Sequence, residues 1–488
     1  MRKVGGKMRK FLYCLIAFLI IGSAVGGAVL FSNLSYSDNR GGDFNTPQNS
    51  ITATAPDNTD LWTDGHYADA FAGGSGTESD PYQIETAAQL ARLAYLINTS
   101  STNSTYRSLY YKQTANIDLS AHYWAGIGSG ETYYFSGIYD GGGFTITGLF
   151  TRAGSTTTYS YQGLFGYIYG TSSLYAEVHD VTISGSEIQG YRYIGAIAGF
   201  TRYAYIYNCA NLSPIVASGI FSGGIIGYNY SLGLVRVYNC YNTGNVSGLG
   251  NVGGIAGFSN QYIYNCYNTG DITGGSSGCT GGIVGRIGYG SVYSCYNLGT
   301  VQGTSEDTGG IAGRNDYSLY NCYNRGDVYG YSYVGGITGW DSGYSSRHAS
   351  IRVCYNTGTV NGSTQVGGIA GHIDATISSY GFVTNCVNLG AIETSSTSRG
   401  AIVGYIDDSS NYGGKVSYCY WGGDCTLASA YGTNNGSVSN CGTCTVENAK
   451  DQSWYPPGWD FENTWTIIDG VNDGYPVLEA TLQITVTY

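Results

Sequence analysis

Residues 253–272 read GGIAGFSNQYIYNCYNTGDI, and close variants of this stretch recur along the chain. Similar segments begin at Gly281, Gly309 and Gly335, and each consists of one glycine-rich motif followed by one cysteine-containing motif. A period of this kind is the signature of an array in which each repeat stacks on the next. The repeat therefore has to be interpreted before any single residue within it.

The first motif is close to G-G/A-I-x-G and occurs in nine copies that lie 26 to 33 residues apart. Its last glycine is present in every copy, at Gly166, Gly199, Gly227, Gly257, Gly285, Gly313, Gly339, Gly371 and Gly404. This period fits the coils of a large parallel β-helix. It is shorter than the blade of a β-propeller, the main alternative, which usually needs about 40 residues or more.

The second motif is C-Y-N-x-G-x-V. Its cysteine stands at Cys209, Cys240, Cys266, Cys295, Cys322, Cys354, Cys386 and Cys419. Counting from the cysteine, positions 0, +2, +4 and +6 share one face of a strand, which we expect to point inward. An aliphatic residue at −3 breaks the alternation and predicts a corner or bulge before the cysteine. Stacked coils would then align like residues in ladders about 4.8 Å apart.

The composition agrees with an all-β array. The chain holds 77 glycines and 49 tyrosines, and only 11% of its residues are charged. Aromatic residues favour strands and glycine supplies turns. The net charge of −12 disfavours nucleic acid and anionic membrane surfaces as partners.

The N-terminal segment predicts export. Residues 1–10 are basic and residues 11–31 are almost wholly apolar, which is the layout of a signal peptide. The apolar run is also long enough to span a bilayer as an uncleaved anchor. We therefore predict a signal peptide or membrane anchor over residues 1–31 and a flexible linker over 32–60. Both alternatives place the remainder outside the cell, secreted or at the cell surface, with the N-terminal segment as its one membrane contact.

A single amphipathic helix is predicted before the repeats. In Thr86–Asn98 the apolar residues Leu90, Leu93 and Ile97 recur at helical spacing. Thr86 and Gln89 have the spacing of a capping box. Residues 61–160 are expected to form an N-terminal cap and the first coils, because a solenoid must cover its open end.

The two motifs resemble the GLUG-motif repeats of bacterial surface proteins. Residues 71–84 (FAGGSGTESDPYQI) resemble the opening coils of such proteins, and Trp465 followed by Asp473-Gly-Tyr-Pro-Val-Leu478 resembles their close. The resemblance implies a right-handed parallel β-helix, here of about 9–11 coils, with repeats over residues 161–445. Residues 446–488 would form a C-terminal cap and a last strand. It implies adhesion or a surface-structural role more than any defined chemistry.

The sequence offers no catalytic cluster, and we predict no cofactor and no metal site. None of the five histidines begins an H-E-x-x-H motif. The predicted function is a non-enzymatic adhesin or structural surface protein. The alternative is a polysaccharide-binding or polysaccharide-degrading β-helix, which as an enzyme would need acids that converge in a groove.

The candidate binding surface is the tyrosine that follows the motif cysteine. It recurs at Tyr241, Tyr267, Tyr296, Tyr323 and Tyr355. If the cysteines point inward, these tyrosines point outward and could stack on a glycan or on a host or cell-surface protein. The alternative is that they only stabilise neighbouring coils.

The cysteines divide into two groups. The eight motif cysteines are expected to be buried thiols that act as small hydrophobic residues. Cys425, Cys441 and Cys444 stand apart, and the last two form a C-x-x-C. In an exported chain this spacing suggests a structural disulfide, with unpaired thiols as the alternative.

Overall fold

The computed structural model describes residues 54–99, 104–230, 236–342, 349–376, 379–407 and 414–482. The predicted signal or anchor lies outside the described residues, as does most of the predicted linker. The last strand stays a prediction, since of its residues 481–488 only Thr481 and Leu482 are described, and these belong to a short helix, Glu479–Leu482. Residues 483–488 lie outside the described residues.

The described chain is a parallel β-solenoid of about 11 turns. A complete coil contributes one short strand to each of five parallel sheets. In one coil sheet 1 holds Val252–Gly253, sheet 2 Ala256–Ser259, sheet 3 Tyr262–Tyr264, sheet 4 Tyr267–Asn268 and sheet 5 Ile272–Gly274. The predicted stacking of like motifs is confirmed, since Tyr267 pairs in register with Tyr296 of the next coil. The hand of the coil stays a prediction.

The strands of each sheet follow one another in chain order. Sheet 1 comprises Ile194–Gly195, Ser222–Gly223, Val252–Gly253, Thr280–Gly281, Thr308–Gly309, Ser332–Gly335, Thr364–Gly367 and Arg399–Gly400. Sheet 2 comprises Phe165–Tyr169, Ala198–Arg202, Ile226–Asn229, Ala256–Ser259, Val284–Ile287, Ala312–Asn315, Thr338–Ser342, Ala370–Thr376, Val403–Asp407 and Tyr431–Asn434, with Ser379–Tyr380 antiparallel beside Ala370–Thr376. Sheet 3 comprises Tyr82–Ile84, Tyr110–Gln113, Ile138–Asp140, Ala176–His179, Ala204–Tyr207, Arg236–Tyr238, Tyr262–Tyr264, Ser291–Tyr293, Ser318–Tyr320, Ser350–Arg352, Phe382–Thr384, Lys415–Ser417 and Ser437–Ser439.

Sheet 4 comprises Ile117–Asp118, Thr145–Thr147, Thr182–Ser184, Ala210–Asn211, Tyr241–Asn242, Tyr267–Asn268, Tyr296–Asn297, Tyr323–Asn324, Tyr355–Asn356, Val387–Asn388, Tyr420–Gly422 and Gly442–Cys444. Sheet 5 comprises Ile188–Gly190, Ile215–Ala217, Val246–Gly248, Ile272–Gly274, Val301–Gly303, Val328–Tyr329, Val360–Asn361 and Ile392–Glu393. A separate antiparallel pair joins Trp465–Thr466 to Val477–Leu478.

Helices are few and short. The described helices are α1 (Ala87–Asn98), α2 (Ser104–Arg107), α3 (Val446–Ala449) and α4 (Glu479–Leu482), with 3-10 turns at Thr157–Tyr159, Gln452–Trp454 and Asn472–Gly474. The predicted helix is confirmed as α1, including its capping box between Thr86 and Gln89. Its apolar face, with Leu90 and Leu93 fully buried, joins the core of the first coils.

The inward face of the second motif is confirmed, but it does not form one strand. Cys266, Asn268 and Ile272 are fully buried, yet the strand breaks between Asn268 and Ile272. The asparagine makes the corner, because its Nδ2 donates to the carbonyl of Gly270 at 2.7 Å. The same Nδ2 donates to Oδ1 of Asn297 in the next coil at 2.8 Å. A buried amide ladder therefore turns seven consecutive coils, from Asn211 to Asn388, at the same place.

The predicted corner before the cysteine is also confirmed. The residue directly before each motif cysteine has a left-handed backbone, as at Asn265 with a φ of 52°. Asparagine tolerates this conformation better than most residues. Its side chains also bond along the stack, since Asn239 Nδ2 donates to Asn208 Oδ1 at 3.1 Å.

The second residue of the first motif packs against the asparagine of the second motif. A Cβ atom on Gly254 would lie 2.4 Å from Cγ of Asn268, and one on Gly282 would lie 2.4 Å from Cγ of Asn297. In these coils the position has room only for glycine, whereas alanine fills it at Ala196 and Ala401. This contact explains why they recur together.

The C-terminal segment does not cover the end of the stack in the way predicted. After α3 it returns along the outer side of sheet 4, where Trp454 contacts Tyr420 and Trp459 Nε1 donates to the carbonyl of Asn385 at 3.1 Å. Trp465 then lies 6.0 Å from Tyr355, ring centroid to ring centroid. The segment thus covers a side of the solenoid because apolar rings on sheet 4 are available to it.

Candidate functional site

The five tyrosines predicted as a binding surface form one continuous stack on sheet 4. Consecutive rings are 4.8 to 5.0 Å apart and within 5° of parallel. They point away from the cysteines, as expected, and pack in a separate apolar cluster. They do not form an open surface, however, since Tyr355 is 1% exposed and Tyr241 and Tyr296 are 9% exposed. We call Tyr241, Tyr267, Tyr296, Tyr323 and Tyr355 the covered tyrosine ladder.

The C-terminal segment fixes one end of the covered tyrosine ladder by specific bonds. The Tyr355 hydroxyl donates to the carbonyl of Pro476 at 2.7 Å and accepts from Asn472 Nδ2 at 2.6 Å. Arg325 donates to Asn472 Oδ1 at 2.6 Å and pairs with Asp473. Burial raises the pKa of Tyr323 well above its usual value. This end of the ladder has the contacts of a structural core.

A second tyrosine ladder, which sequence reasoning missed, stands on the outside of sheet 3. Its members lie two residues before the first five of the eight motif cysteines, at Tyr207, Tyr238, Tyr264, Tyr293 and Tyr320. Their rings stack 4.9 to 5.0 Å apart and within 6° of parallel, and each is partly exposed. We call these five residues the outer tyrosine ladder. The sequence feature that indicates this ladder is the recurring Y-x-C pattern.

The outer tyrosine ladder presents ring edges and hydroxyls, because stacking occupies the ring faces between neighbours. At its first end His179 stacks on Tyr207 at 4.6 Å. At the other end Arg352 takes the register position after Tyr320. Partial burial and the neighbouring Tyr264 phenol raise the pKa of Tyr238 to about 12, so it stays protonated at neutral pH. The ladder therefore offers a row of neutral hydroxyls at the spacing of the strands.

The outer face of sheet 2 is chemically less uniform. One column in register begins with stacked aromatic rings and continues with charged and mixed residues: Tyr167, Phe200, Tyr228, Phe258, Arg286, Arg314, Trp340, His372 and Tyr405. The residue type therefore changes along this column, whereas the interior positions repeat the same residue type from coil to coil. It is the kind of variation that specific recognition or catalysis requires.

The charged part of this face is a compact network around Asp316, which is 3% exposed. Arg286 donates to its Oδ2 through Nε at 2.9 Å and Nη2 at 2.7 Å, and Arg314 Nε donates to its Oδ1 at 2.7 Å. The Arg314 guanidinium also lies 4.0 Å above the Trp340 ring. Because both carboxylate oxygens are engaged, Asp316 positions the two arginines.

Asp307 is the second acid of this face and has a different environment. It is 6% exposed, and the Cys279 thiol donates to its Oδ2 at 3.4 Å. Burial outweighs the attraction of Arg314 and raises the pKa of Asp307 to about 6. We call Cys279, Arg286, Asp307, Arg314 and Asp316 the charged cluster. The contacts of Asp307 with Cys279 and of Asp316 with Arg286 each join neighbouring coils, 28 and 30 residues apart in sequence, so no single motif contains the cluster.

His372 lies further along the same face. It is 9% exposed, and its Nδ1 lies 2.6 Å from Gln365 Oε1. Burial lowers its pKa to about 4, so the imidazole is neutral at physiological pH. Asp374 and Asp407 come close to it, each offering one ligand-type atom within 4.8 Å.

The cysteines are unpaired throughout the described residues. The motif cysteines form the predicted buried ladder; the thiol of Cys266 donates to the carbonyl of Tyr264 at 3.3 Å. Burial raises the pKa of Cys240 and Cys266 well above the usual range. Cys441 continues this ladder beside Cys419 rather than bonding to Cys444. Cys425 and Cys444 are likewise free thiols.

These features define a parallel β-solenoid with an interior of stacked polar and apolar ladders and outer faces of differing chemistry. Across the residues that the structure describes, no helix is long and apolar enough to cross a bilayer.

Comparison with known proteins adds one match. No protein-family model matches the chain, and no curated protein matches it. A crystal structure from Bacteroides ovatus at 1.30 Å resolution, described as a "putative immunoglobulin A1 protease", is 21% identical to it. That match covers 84% of this chain and 95% of the other, with a TM-score of 0.41. The similarity is one of fold alone.

Proposed function

We propose that this chain is an exported, non-enzymatic surface protein that uses a rigid solenoid to present an adhesive face. The resemblance of its repeats to GLUG motifs and its basic-then-apolar N-terminus support export to the cell surface. The outer tyrosine ladder is the adhesive face, and its partner is a glycan or a cell-surface protein. This replaces the covered tyrosine ladder as the binding surface.

The observation that carries this proposal is the difference in exposure between the two ladders. Tyr293 and Tyr320 are partly exposed on sheet 3, whereas Tyr323 and Tyr355 on sheet 4 are 4% and 1% exposed. Tyrosine hydroxyls both donate and accept, so they suit hydroxyl-rich or peptide partners. Since each ring lies against its neighbours, recognition here uses ring edges rather than flat stacking on sugar rings.

The test is a glycan-array and cell-surface protein screen with the full-length, untagged chain in mild detergent. A matched variant is Tyr293→Thr, because Thr384 occupies the same column in a later coil. We expect at least one ligand class to be retained by the wild type and weakened several-fold by Tyr293→Thr. Absence of any retained ligand would leave only a passive spacer and would contradict the proposal.

The charged cluster supports a second candidate, action on a polysaccharide. Asp307 has a pKa near 6, which suits a general acid at mildly acidic pH. Arg286 and Arg314 beside it could bind an acidic sugar, since guanidinium groups recognise carboxylates. In this candidate Asp307 would be the proton donor and Asp316 would hold the arginines in place.

A product assay distinguishes the two candidates. The full-length chain is incubated with neutral and acidic polysaccharides, and newly formed reducing ends are measured. Asp307→Asn should abolish any activity. Asp271→Asn is the control, because Asp271 is exposed and Asn245 fills the equivalent position one coil earlier. Activity that survives Asp307→Asn would remove Asp307 from the mechanism, and no activity on any substrate leaves the adhesive function standing.

A further inference from the structure

Two histidines and an aspartate meet at the N-terminal end of the solenoid. Asp60, His66 and His122 each offer one ligand-type atom, and these atoms all lie within 4.8 Å of one another. His122 is 62 residues from Asp60 in sequence, so no local sequence motif indicates the cluster. The cluster shares no residue with the outer tyrosine ladder.

The backbone holds these residues in place. Tyr123 N donates to the carbonyl of Asp60 at 2.9 Å, and Trp62 N donates to the carbonyl of Tyr123 at 3.0 Å. These bonds form a parallel bridge that sets Asp60 beside His122. A turn closed by Asp64, whose Oδ2 accepts from Leu61 N at 2.9 Å, then brings the chain back toward His66.

The three side chains lie close together, but they do not satisfy one another's hydrogen-bonding capacity. The imidazoles of His66 and His122 stack with centroids 3.7 Å apart, and the Trp62 ring packs edge-on against His122 at 4.9 Å. His66 Nε2 is 3.9 Å from Asp60 Oδ2, which is too long for a hydrogen bond. Nδ1 of His122 is shielded from water and has no hydrogen-bond partner among the described residues.

The other two histidine clusters differ in this respect. At Asp140, His179 and Asp180, the Lys112 ammonium lies 3.0 Å from Asp140, and His179 Nδ1 lies 2.7 Å from Asp180. A protein cation and a short hydrogen bond already satisfy that cluster. His372 Nδ1 is likewise engaged by Gln365. In the described part of the chain, His66 is the one ion-pair partner of Asp60.

We propose that Asp60, His66 and His122 bind a divalent transition-metal ion, with Zn²⁺ as the best match. Two imidazole nitrogens and one carboxylate oxygen are a donor set that such ions favour, and three protein ligands leave a coordination position for water. To bind one ion, the two imidazoles must rotate out of their stacked arrangement, because the nitrogen lone pairs lie in the ring planes and those planes are now nearly parallel. The metal would pin residues 54–66 to the first coils, where the chain leaves its N-terminal segment.

The test is calorimetric titration of the untagged, chelator-treated, full-length chain with ZnCl₂. Co²⁺ is used in parallel, because its visible absorption reports nitrogen and oxygen ligands directly. We expect one Zn²⁺ equivalent that weakens at least about a hundredfold in His66→Ala and in His122→Ala, since changes outside the ligand shell alone cost 10–100-fold. His179→Ala is the matched control and should retain it.

Two measurements separate loss of metal binding from loss of folding. Thermal melts without metal establish that each variant folds, and added Zn²⁺ should raise the melting temperature of the wild type and of His179→Ala only. The proposal is overturned if the visible spectrum of Co²⁺ with the wild type is the same as that of the aqueous ion. It is also overturned if the Zn²⁺ equivalent persists in His122→Ala or disappears in His179→Ala.

Discussion

The two tyrosine ladders are made of the same residue at the same spacing, yet they have opposite surroundings. In both, the rings repeat every 4.8 to 5.0 Å and lie nearly parallel. The C-terminal segment packs onto the covered ladder at Tyr323 and Tyr355 through Trp465. The outer ladder keeps its ring edges in partial contact with water.

The comparison shows that stacking and binding are separate properties of a repeated aromatic column. Stacking follows from the register of parallel strands alone. Accessibility depends on whether another segment of the chain covers the column. On sheet 4 that segment begins after Cys444, more than a hundred residues beyond Tyr323, on which Trp465 packs. A binding surface therefore cannot be assigned from periodicity alone.

The largest expected effect concerns the cover itself. Trp465 is fully buried between Tyr323 and Tyr355, so Trp465→Ala should lower the free energy of unfolding by about 3–5 kcal/mol. Trp340→Ala on the partly exposed face of sheet 2 is the control and should cost less than half of that. Urea unfolding followed by circular dichroism measures both. Equal costs would mean that the C-terminal segment contributes little to the stability of the covered ladder.

The next effect concerns pH and belongs to Asp307 of the charged cluster. The folded-state pKa of Asp307 is about 6, so the folded protein keeps a proton that the unfolded chain loses above about pH 4. Stability contributed by this group is therefore present at low pH and is lost as the pH rises from about 4 to 6, by up to about 3 kcal/mol. Asp307→Asn should remove this loss.

The measurement is the free energy of unfolding of wild type and Asp307→Asn at pH 4, 5, 6 and 7. The variant should be more stable at pH 7 and no more stable at pH 4. Asparagine tolerates the left-handed backbone of this position, where φ is 55°. An unchanged pH dependence would show that Asp307 ionises normally in the folded state.

A smaller effect separates the hydroxyls of the two ladders. Tyr355→Phe removes the buried hydroxyl that bonds both Pro476 and Asn472, while Asn472 Nδ2 still donates to the Pro476 carbonyl at 3.0 Å; the loss should cost about 0.5–1.5 kcal/mol. Tyr320→Phe removes a partly exposed hydroxyl and should change stability by less than about 0.5 kcal/mol. Thermal denaturation of the two variants side by side checks this. A similar cost in both would remove the structural distinction between the ladders.

Most of the fold was predictable because stacking forces every coil to repeat the same inward residues. Cys266, Asn268 and Ile272 could be assigned to the interior from their spacing. The helix at Ala87–Asn98 was predictable because its capping box and apolar face are local features. Once the coils are stacked in register, the same two motifs also account for the corners at the asparagines and for the close contacts at the glycines.

The rest depended on contacts between segments distant in sequence. The path of Trp459 and Trp465 along sheet 4 cannot be read from their own neighbourhood. The meeting of Arg286 with Asp316, or of Asp60 with His122, depends on how coils align, which individual residues do not reveal. The outer tyrosine ladder was missed for another reason. The Y-x-C pattern is present in the sequence, but the residue between the tyrosine and the cysteine has a left-handed backbone. Strand alternation therefore does not predict the direction of the tyrosine side chain.

The most direct test of the adhesive role compares two triple variants in the same ligand-retention assay, each with its melting temperature. One carries Tyr264→Ser, Tyr293→Ser and Tyr320→Ser in the outer ladder, where Ser417 and Ser439 occupy the same column in later coils. The other carries Tyr267→Ser, Tyr296→Ser and Tyr323→Ser in the covered ladder. We predict that the outer variant loses ligand retention with a small drop in melting temperature, while the covered variant melts much earlier but retains ligand when folded. Loss of retention in the folded covered variant, with the outer variant unaffected, would contradict this account.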